Sequence, residues 1–254
     1  MSEFVAGRNA VLEVLRSKRS VNKLFVQQGA ATGSVREIVA LAYEKKIQVE
    51  EVASSKLDEL VSDVKHQGVV VAVAPVDYAS LEDALALAEQ KGETPFLILL
   101  DNLQDPHNVG AIIRTANIAG VHGVLLPKRR SCPLNQTVAK VSAGAVEHTP
   151  VVQIGNVAQT LDELKKKGFW VIGADMDGSE NYFDTDLLGA IVLVIGSEGT
   201  GMGRLVKEKC DILVKIPMFG QINSLNASVA CGILTFEIVR QRVLKARRAY
   251  VSGR

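Results

Sequence analysis

The six residues NSLNAS (223–228) sit between a strand-like run, DILVKIP (211–217), and a long helical pattern that begins at VACGIL (229–234). Asparagine and serine side chains cap the free N–H groups of a helix's first turn. One such residue suffices, and this cluster offers Asn223, Ser224, Asn226 and Ser228. Two other stretches change character just as sharply. In LLDNLQDPHNVGAIIRTANIAG (99–120) an apolar strand runs into Asp101, Asn102, Asp105, His107 and Asn108, and the helix that follows carries Arg114. In LVIGSEGTGMG (193–203) another strand opens into four glycines around a single carboxylate, Glu198.

Several familiar chemistries do not fit these residues. The glycine-rich loop has no Gly-Lys-Ser/Thr ending and does not read GxGxxG into a helix, so neither phosphate-cradling motif is present. A glutamate inside the loop would also repel phosphate. Its glycines instead let backbone approach an uncharged or cationic ligand closely. No GxSxG elbow accompanies a histidine and an acid, and His107 reads as an exposed or capping residue. Asp101, Asp105 and Glu198 stand in three different settings, which does not favour a pair of catalytic carboxylates. Three cysteines, Cys132, Cys210 and Cys231, are far apart and form no CxxC or Cys/His pattern, so no metal site and no disulfide framework is expected.

Those loops need a scaffold. The chain has 254 residues, 47% apolar and 22% charged, with a net charge of +1, which is ordinary globular composition. No run of 18 apolar residues and no signal-peptide pattern occurs, and a cytoplasmic protein with no membrane partner is expected. Residues 1–75 alternate helix and strand in a small α/β unit. Residues 76–94, between Pro75 and Pro95, read as an acidic linker helix. From 95 to 254 a second alternation carries longer apolar strands: FLILLDNL, GVLLP, PVVQI, WVIGADM, IVLVIGSE and DILVKIP. Near-continuous apolar strands separated by helices imply a parallel sheet covered on both faces. In such sheets ligands bind beyond the carboxyl ends of the strands, where all three polar loops lie. Basic clusters occur at Lys128–Arg130, Lys165–Lys167 and along the tail from Arg240 to Arg254, where a phosphate backbone could be met.

Taken in order, NLQDPHNVGAIIRTANIAG, IGSEGTGM and IPMFGQINSLNASVA resemble the three motifs of the SpoU/TrmH family of RNA ribose 2′-O-methyltransferases, in the SPOUT superfamily. VAGRNAVLEVL (5–15) and KHQGVVVAV (65–73) resemble the L30e-like RNA-binding extension of the family's bacterial 23S rRNA 2′-O-methylguanosine methyltransferases. The resemblance implies an α/β fold with an L30e-like domain at 1–75 and a SPOUT domain at 95–254 that ends in a deep trefoil knot. The knot would involve Gly196–Met202 and Ile216–Asn226. It implies S-adenosylmethionine as cofactor, held by Gly196, Ile216 and Leu225, with Ala143, Gly144 and Met218 as neighbours. It places Asn108, Arg114, Glu198, Ser224 and Asn226 around the reacting ribose. A guanidinium stays protonated in ordinary settings, so Arg114 reads better as a clamp on the target phosphate than as the base. The resemblance further implies a homodimer and 23S rRNA as substrate. A tRNA methyltransferase is the alternative, and a non-catalytic RNA-binding module, which would not need those five polar side chains, comes third.

Overall fold

The structure is a computed structural model that describes residues 3–17, 21–30, 33–61, 65–73, 78–221 and 224–252. The chain separates into two compact units, one of residues 1–77 and 134–148, the other of residues 78–133 and 149–254.

In the first unit β1 (Glu3–Ala6), α1 (Arg8–Arg16), β2 (Val21–Gln27), α2 (Ser34–Glu44), β3 (Val49–Val52), α3 (Ser54–Leu60) and β4 (Val69–Val73) follow one another. The sheet order is β1-β4-β2-β3, with β4 antiparallel to both neighbours and β2 parallel to β3. The run VVVAV of β4 is buried throughout, as a central strand should be. β1 has no counterpart in the sequence reading, because four residues are too few to show a period of their own. The turn before β4 is held by its side chains: the Gly68 N–H donates to His66 Nδ1 (2.9 Å) and the Arg8 N–H to Gln67 Oε1 (3.1 Å).

The second unit opens with α4 (Leu81–Lys91), then β5 (Phe96–Leu100), α5 (Pro106–Ile118) and β6 (Gly123–Pro127). The chain then contributes α6 (Gln136–Val141) and a short 3₁₀ turn (Ala145–Glu147) to the first unit. It continues with β7 (Val151–Ile154), α7 (Val157–Lys166), β8 (Trp170–Ala174), β9 (Glu180–Asn181), β10 (Ile191–Ile195), α8 (Arg204–Lys209), β11 (Ile212–Lys215) and α9 (Ala227–Ser252). Seven parallel strands lie in the order β7-β6-β5-β10-β8-β11-β9. FLILL of β5 and IVLVI of β10 are wholly buried and pair in register from Ile191–Phe96 to Ile195–Leu100.

Two segments differ from the sequence reading. Residues 76–94, expected to link two domains, provide α4, which is packed on the second unit's sheet. Its Ala84 is fully buried, and a Cβ on Gly123 of β6 would come within 2.8 Å of the Ala84 Cβ. A Ser80–Asp83 capping box starts this helix and Gly92, at φ 64°, ends it, so it is complete in itself. Residues 134–148, expected inside the second domain, pack with the first unit instead, where Gly144 lies against Ala10 and Glu13 of α1.

Candidate active site

Chain order runs outward from β5 through β6 to β7 on one side, while β10 and β8 lie on the other. The sheet therefore changes direction between β5 and β10, which is where open parallel sheets bind ligands. Because Ile195 pairs with Leu100, the loops after β10 and β5 leave the sheet side by side. Asp101 joins them. Its N–H donates to the Ile195 carbonyl (2.8 Å), and its buried Oδ2 accepts from the Gly203 N–H (2.7 Å).

The loop after β10 folds back on itself. Ser197 and Gly201 exchange backbone hydrogen bonds of 3.2 and 2.9 Å, and Gly199 and Gly201 take φ values of 84° and 64°. A Cβ on Gly196 would stand 2.3 Å from the Gly201 carbonyl carbon, so no side chain fits there. This hairpin carries Glu198 to its tip.

The two asparagines come from opposite ends of the second unit's sequence. Asp105 caps α5 by accepting from the His107 and Asn108 N–H groups (3.1 and 3.2 Å), with Pro106 in the first turn. That fixes Asn108, which is 6% exposed, at the helix start beneath the loop. His107 is exposed, and it is Asp105, not the histidine side chain, that caps the helix. Asn226 caps α9: its Oδ1 accepts from the Ser228 N–H (2.9 Å), the Val229 N–H (3.2 Å) and the Ser228 hydroxyl (2.6 Å). With Oδ1 committed to backbone donors, the orientation of this amide is forced, and Nδ2 must point away from the helix.

There it meets the other two residues. Asn226 Nδ2 donates to Glu198 Oε1 (2.6 Å) and Asn108 Oδ1 (2.8 Å), and Asn108 Nδ2 donates to the same Glu198 Oε1 (2.8 Å). The Ala227 N–H adds a fourth contact, to Glu198 Oε1 at 3.2 Å. Three donors on one carboxylate oxygen stabilise its charge, and Glu198 Oε2 accepts no hydrogen bond among the described residues.

Beside this network lies a pocket of about 330 Å³. Gly196, Glu198, Ile216, Met218, Ser224 and Leu225 all line it; the sequence reading sets Gly196, Ile216, Met218 and Leu225 at the cofactor, and Glu198 and Ser224 at the ribose. Asn108 and Asn226 support it from behind without lining it. Arg114 projects from α5, about 9 Å along the helix axis from Asn108. It is exposed and makes no hydrogen bond or ion pair among the described residues, and it does not line the pocket. Ala143 and Gly144 must be corrected as neighbours of this pocket. Both belong to the segment packed with the first unit and neither lines the cavity, because the turn they form is held against α1. Asn223 lies outside the described residues.

The sequence reading missed the far wall. Asp175, Met176 and Asp177, just beyond the carboxyl end of β8, line the pocket together with Thr200 and Lys207. Their position at the end of a parallel strand was the signal available. Asp175 pairs with Lys207 at 2.9 Å and, chiefly through that hydrogen bond, holds the ammonium above its usual range. Three carboxylates, Asp175, Asp177 and Glu198, thus face one ammonium, and the cavity attracts a cation rather than a phosphate. Among the described residues no group of histidine, cysteine and acidic side chains could hold a metal ion, and no helix is long and apolar enough to cross a membrane.

Known proteins resemble this chain along most of its length. Residues 95–236 match the SpoU rRNA methylase family, and residues 4–79 match the family described as RNA 2′-O ribose methyltransferase substrate binding. The chain is 48% identical over 240 residues to YacO of Bacillus subtilis (strain 168), assigned to the TrmH family of tRNA/rRNA methyltransferases; 94% of this chain and 96% of YacO are covered. The SpoU methyltransferase AviRb from Streptomyces viridochromogenes, crystallised with the cofactor AdoMet, superposes with a TM-score of 0.79 at 25% identity, covering 95% of this chain and 91% of AviRb. The TrmH/SpoU tRNA modifying enzyme of A. aeolicus superposes with a TM-score of 0.56 at 29% identity, covering 65% of this chain and 85% of that one. With a family match over more than half its length and a near full-length relative at this identity, the chain belongs to the SpoU rRNA methylase family of RNA methyltransferases.

Proposed function

We propose that the protein is an S-adenosylmethionine-dependent ribose 2′-O-methyltransferase that modifies a guanosine of 23S rRNA. The observation that carries the reading is the Asn108–Glu198–Asn226 network set against a glycine-walled, acidic pocket. The residues present fit the cofactor. The three carboxylates suit its sulfonium and ammonium charges, Ile216, Leu225 and Leu234 offer apolar surface, and the glycine loop Gly196, Gly199 and Gly201 presents backbone to the same space. When bound, S-adenosylmethionine would supply an electrophilic methyl group.

The chain's own residues must orient a weak nucleophile and provide for its proton. Glu198, held by two amides and a backbone N–H, fixes the loop bearing Gly196 and presents Oε2 to the site. Ser224 lines the pocket beside it and can hydrogen-bond to the attacking hydroxyl or to the cofactor. Arg114, unpaired among the described residues, binds the phosphate of the target nucleotide and stabilises the developing alkoxide. The 2′ O–CH₃ bond forms as the S–CH₃ bond breaks, and the hydroxyl proton passes to phosphate or water.

The substrate assignment rests on the first unit. It matches the substrate-binding family named for ribose methylation, and the likeness to AviRb covers 95% of this chain and so extends over it. The tRNA enzyme of A. aeolicus covers only 65%. We read the first unit as an L30e-like domain that grips folded RNA by loop shape and backbone contacts. We also propose that 196–202 and 216–226, two segments lining one pocket, form the deep trefoil knot of this superfamily. The protein acts in the cytoplasm as a homodimer. Support for pairing comes from α9, where Val229, Phe236, Val243 and Tyr250 recur every seven residues and are 49%, 47%, 44% and 64% exposed. Such a stripe on one helix face is the pattern of a helix that packs on a second helix.

The test is transfer of tritiated methyl from S-adenosylmethionine to total RNA taken from a strain lacking the gene, with the product mapped by resistance to alkaline cleavage. Label at one guanosine of 23S rRNA is expected, and Arg114→Ala should abolish transfer while cofactor affinity measured by calorimetry stays within about threefold. Label in tRNA alone would move the assignment to the alternative substrate, and base methylation would overturn the ribose chemistry.

A further inference from the structure

The hairpin that walls the cofactor pocket has a second face. Behind Ser197, Thr200, Gly201 and Met202 lies an open cavity of about 330 Å³, bordered by Asn102, Gln104 and Arg130. Asn102 and Gln104 leave the end of β5, and Arg130 leaves the end of β6, so three strand ends converge there. None of these three side chains makes a hydrogen bond or ion pair among the described residues. Gln104 and Arg130 are exposed and Asn102 is half-buried, so a guanidinium and two carboxamides around this space are open to solvent or to a ligand.

The backbone agrees. Asn102 and Arg130 hold φ values of 57° and 55°, in the left-handed region that a long side chain such as arginine seldom occupies. Conformations of this kind collect where a ligand is gripped. Lys128 and Arg129, also exposed, precede Arg130 in the chain; Arg130 is the charged residue among those lining the cavity, and no carboxylate is among them. Its chemistry is thus opposite to that of the cofactor pocket across the hairpin, where acids outnumber the single lysine.

We propose that this cavity is a subsite for the RNA nucleotide next to the one methylated, with Arg130 on its phosphate and Asn102 and Gln104 reading the edge of its base. The inference rests on the RNA 2′-O-methyltransferase reading above and makes this cavity the source of sequence preference close to the target. Unstacked bases are recognised through their hydrogen-bonding edges, and a carboxamide presents a donor and an acceptor side by side, as such an edge requires. The Ser197 and Thr200 hydroxyls, 2.6 Å apart on the shared wall, lie between the two cavities and can pass a contact from one nucleotide to the next.

The test uses the full chain with total RNA from a strain lacking the gene, and then transcripts of the mapped target with each flanking nucleotide replaced in turn. The wild type should discriminate among the flanking replacements. Asn102→Ala and Gln104→Ala should each cut that discrimination about tenfold, with kcat on the native target nearly kept. Arg130→Ala should raise KM about tenfold and lower the slope of log affinity against log salt by about one, and Arg130→Lys should restore most of both. Cofactor affinity, read by calorimetry, should not change in any of them, which also shows that the variants fold. Unchanged flank preference and unchanged salt slope, in variants that bind cofactor, would overturn the subsite while leaving the methyltransferase reading intact. Loss of cofactor affinity would assign the cavity to the cofactor instead. If the wild type methylated no RNA, both readings would fall together.

Discussion

Asn226 does two things at once, and they can be separated. Its Oδ1 caps α9 and its Nδ2 joins Glu198 to Asn108. Asn226→Ala loses both, so it should cost about 1 kcal/mol of stability through the cap and reduce methyl transfer at least a hundredfold. Asn226→Ser keeps an oxygen at the capping position but no amide to reach Glu198. Its melting temperature should stay near that of the wild type while activity remains as low as in the alanine variant. Recovery of activity along with stability would mean that only the cap matters. The cysteines tell the opposite story at the same scale. Burial pushes the Cys210 and Cys231 thiols up to about 12 and raises Cys132 as well. At pH 8 the native protein should therefore react slowly with a thiol reagent and release all three thiols promptly once unfolded in guanidinium. A fast native reaction would contradict the packing around them.

The strand starts at the edge opposite the active site hold an element-scale device. His122 is 1% exposed, with Nδ1 accepting from the Phe96 N–H (3.1 Å) and Nε2 3.0 Å from Glu93. Accepting at Nδ1 requires the neutral ring, and burial, only partly offset by Glu93, lowers its pKa. The folded value lies below the unfolded one, about 6.5, so between them the unfolded chain binds more protons. Stability should then fall as pH drops below about 6.5 and level off once the folded ring titrates. Denaturant midpoints at pH 7.5 and 5.5 measure this. His122→Asn, whose Oδ1 can accept the same Phe96 N–H, should have a smaller difference between the two, and an equal difference would rule His122 out. Nearby, Arg242 of α9 donates to the carbonyls of Thr94, Pro95 and Gly189 at 2.7, 3.1 and 2.9 Å and stacks 5.3 Å from the Phe96 ring centre. That anchors the long C-terminal helix to the sheet. The same helix begins at Asn226, so the anchor also fixes where the active-site amide stands.

At the scale of the molecule, the two units divide the chain differently from a simple cut near residue 95. A fragment starting at Thr94 lacks α4 and uncovers the surface of β6 around Gly123, whereas one starting at Tyr78 retains it. The longer fragment should melt at a higher temperature and bind S-adenosylmethionine with the affinity of the whole chain, because every residue lining the cofactor pocket belongs to the second unit. It should methylate rRNA poorly, since it lacks residues 1–77 of the first unit. A shorter fragment equal to the longer in stability would show that α4 contributes nothing. Light scattering of the full chain should give about twice 27.3 kDa, and Phe236→Glu, in the middle of the exposed stripe on α9, should shift it to the monomer.

Much of this was legible in the residues themselves. Continuous apolar runs such as FLILL and IVLVI have only one comfortable place, the middle of a parallel sheet, so fold class and strand positions follow from composition and order. The three polar loops marked out a candidate site for the same reason, since they interrupt those runs at the strands' carboxyl ends. Local pattern carries no information about partners distant in sequence, and there the tertiary structure decided. Asn108 and Asn226 are 118 positions apart; the order β5-β10 in the sheet brings Asn108 to Glu198, and the packing of α9 on α5 brings Asn226 there. Ala143 and Gly144 belong to a motif that reads like part of the site, yet their segment packs with the other unit, because α1 offers Gly144 a surface that no side chain could share. Asp175 and Asp177 looked like the polar end of a strand, and become the acidic wall of a pocket only once β8 is placed beside β10. The order of the strands, set by which apolar faces pack best over the whole sheet, is a property of the folded chain and of no single segment in it.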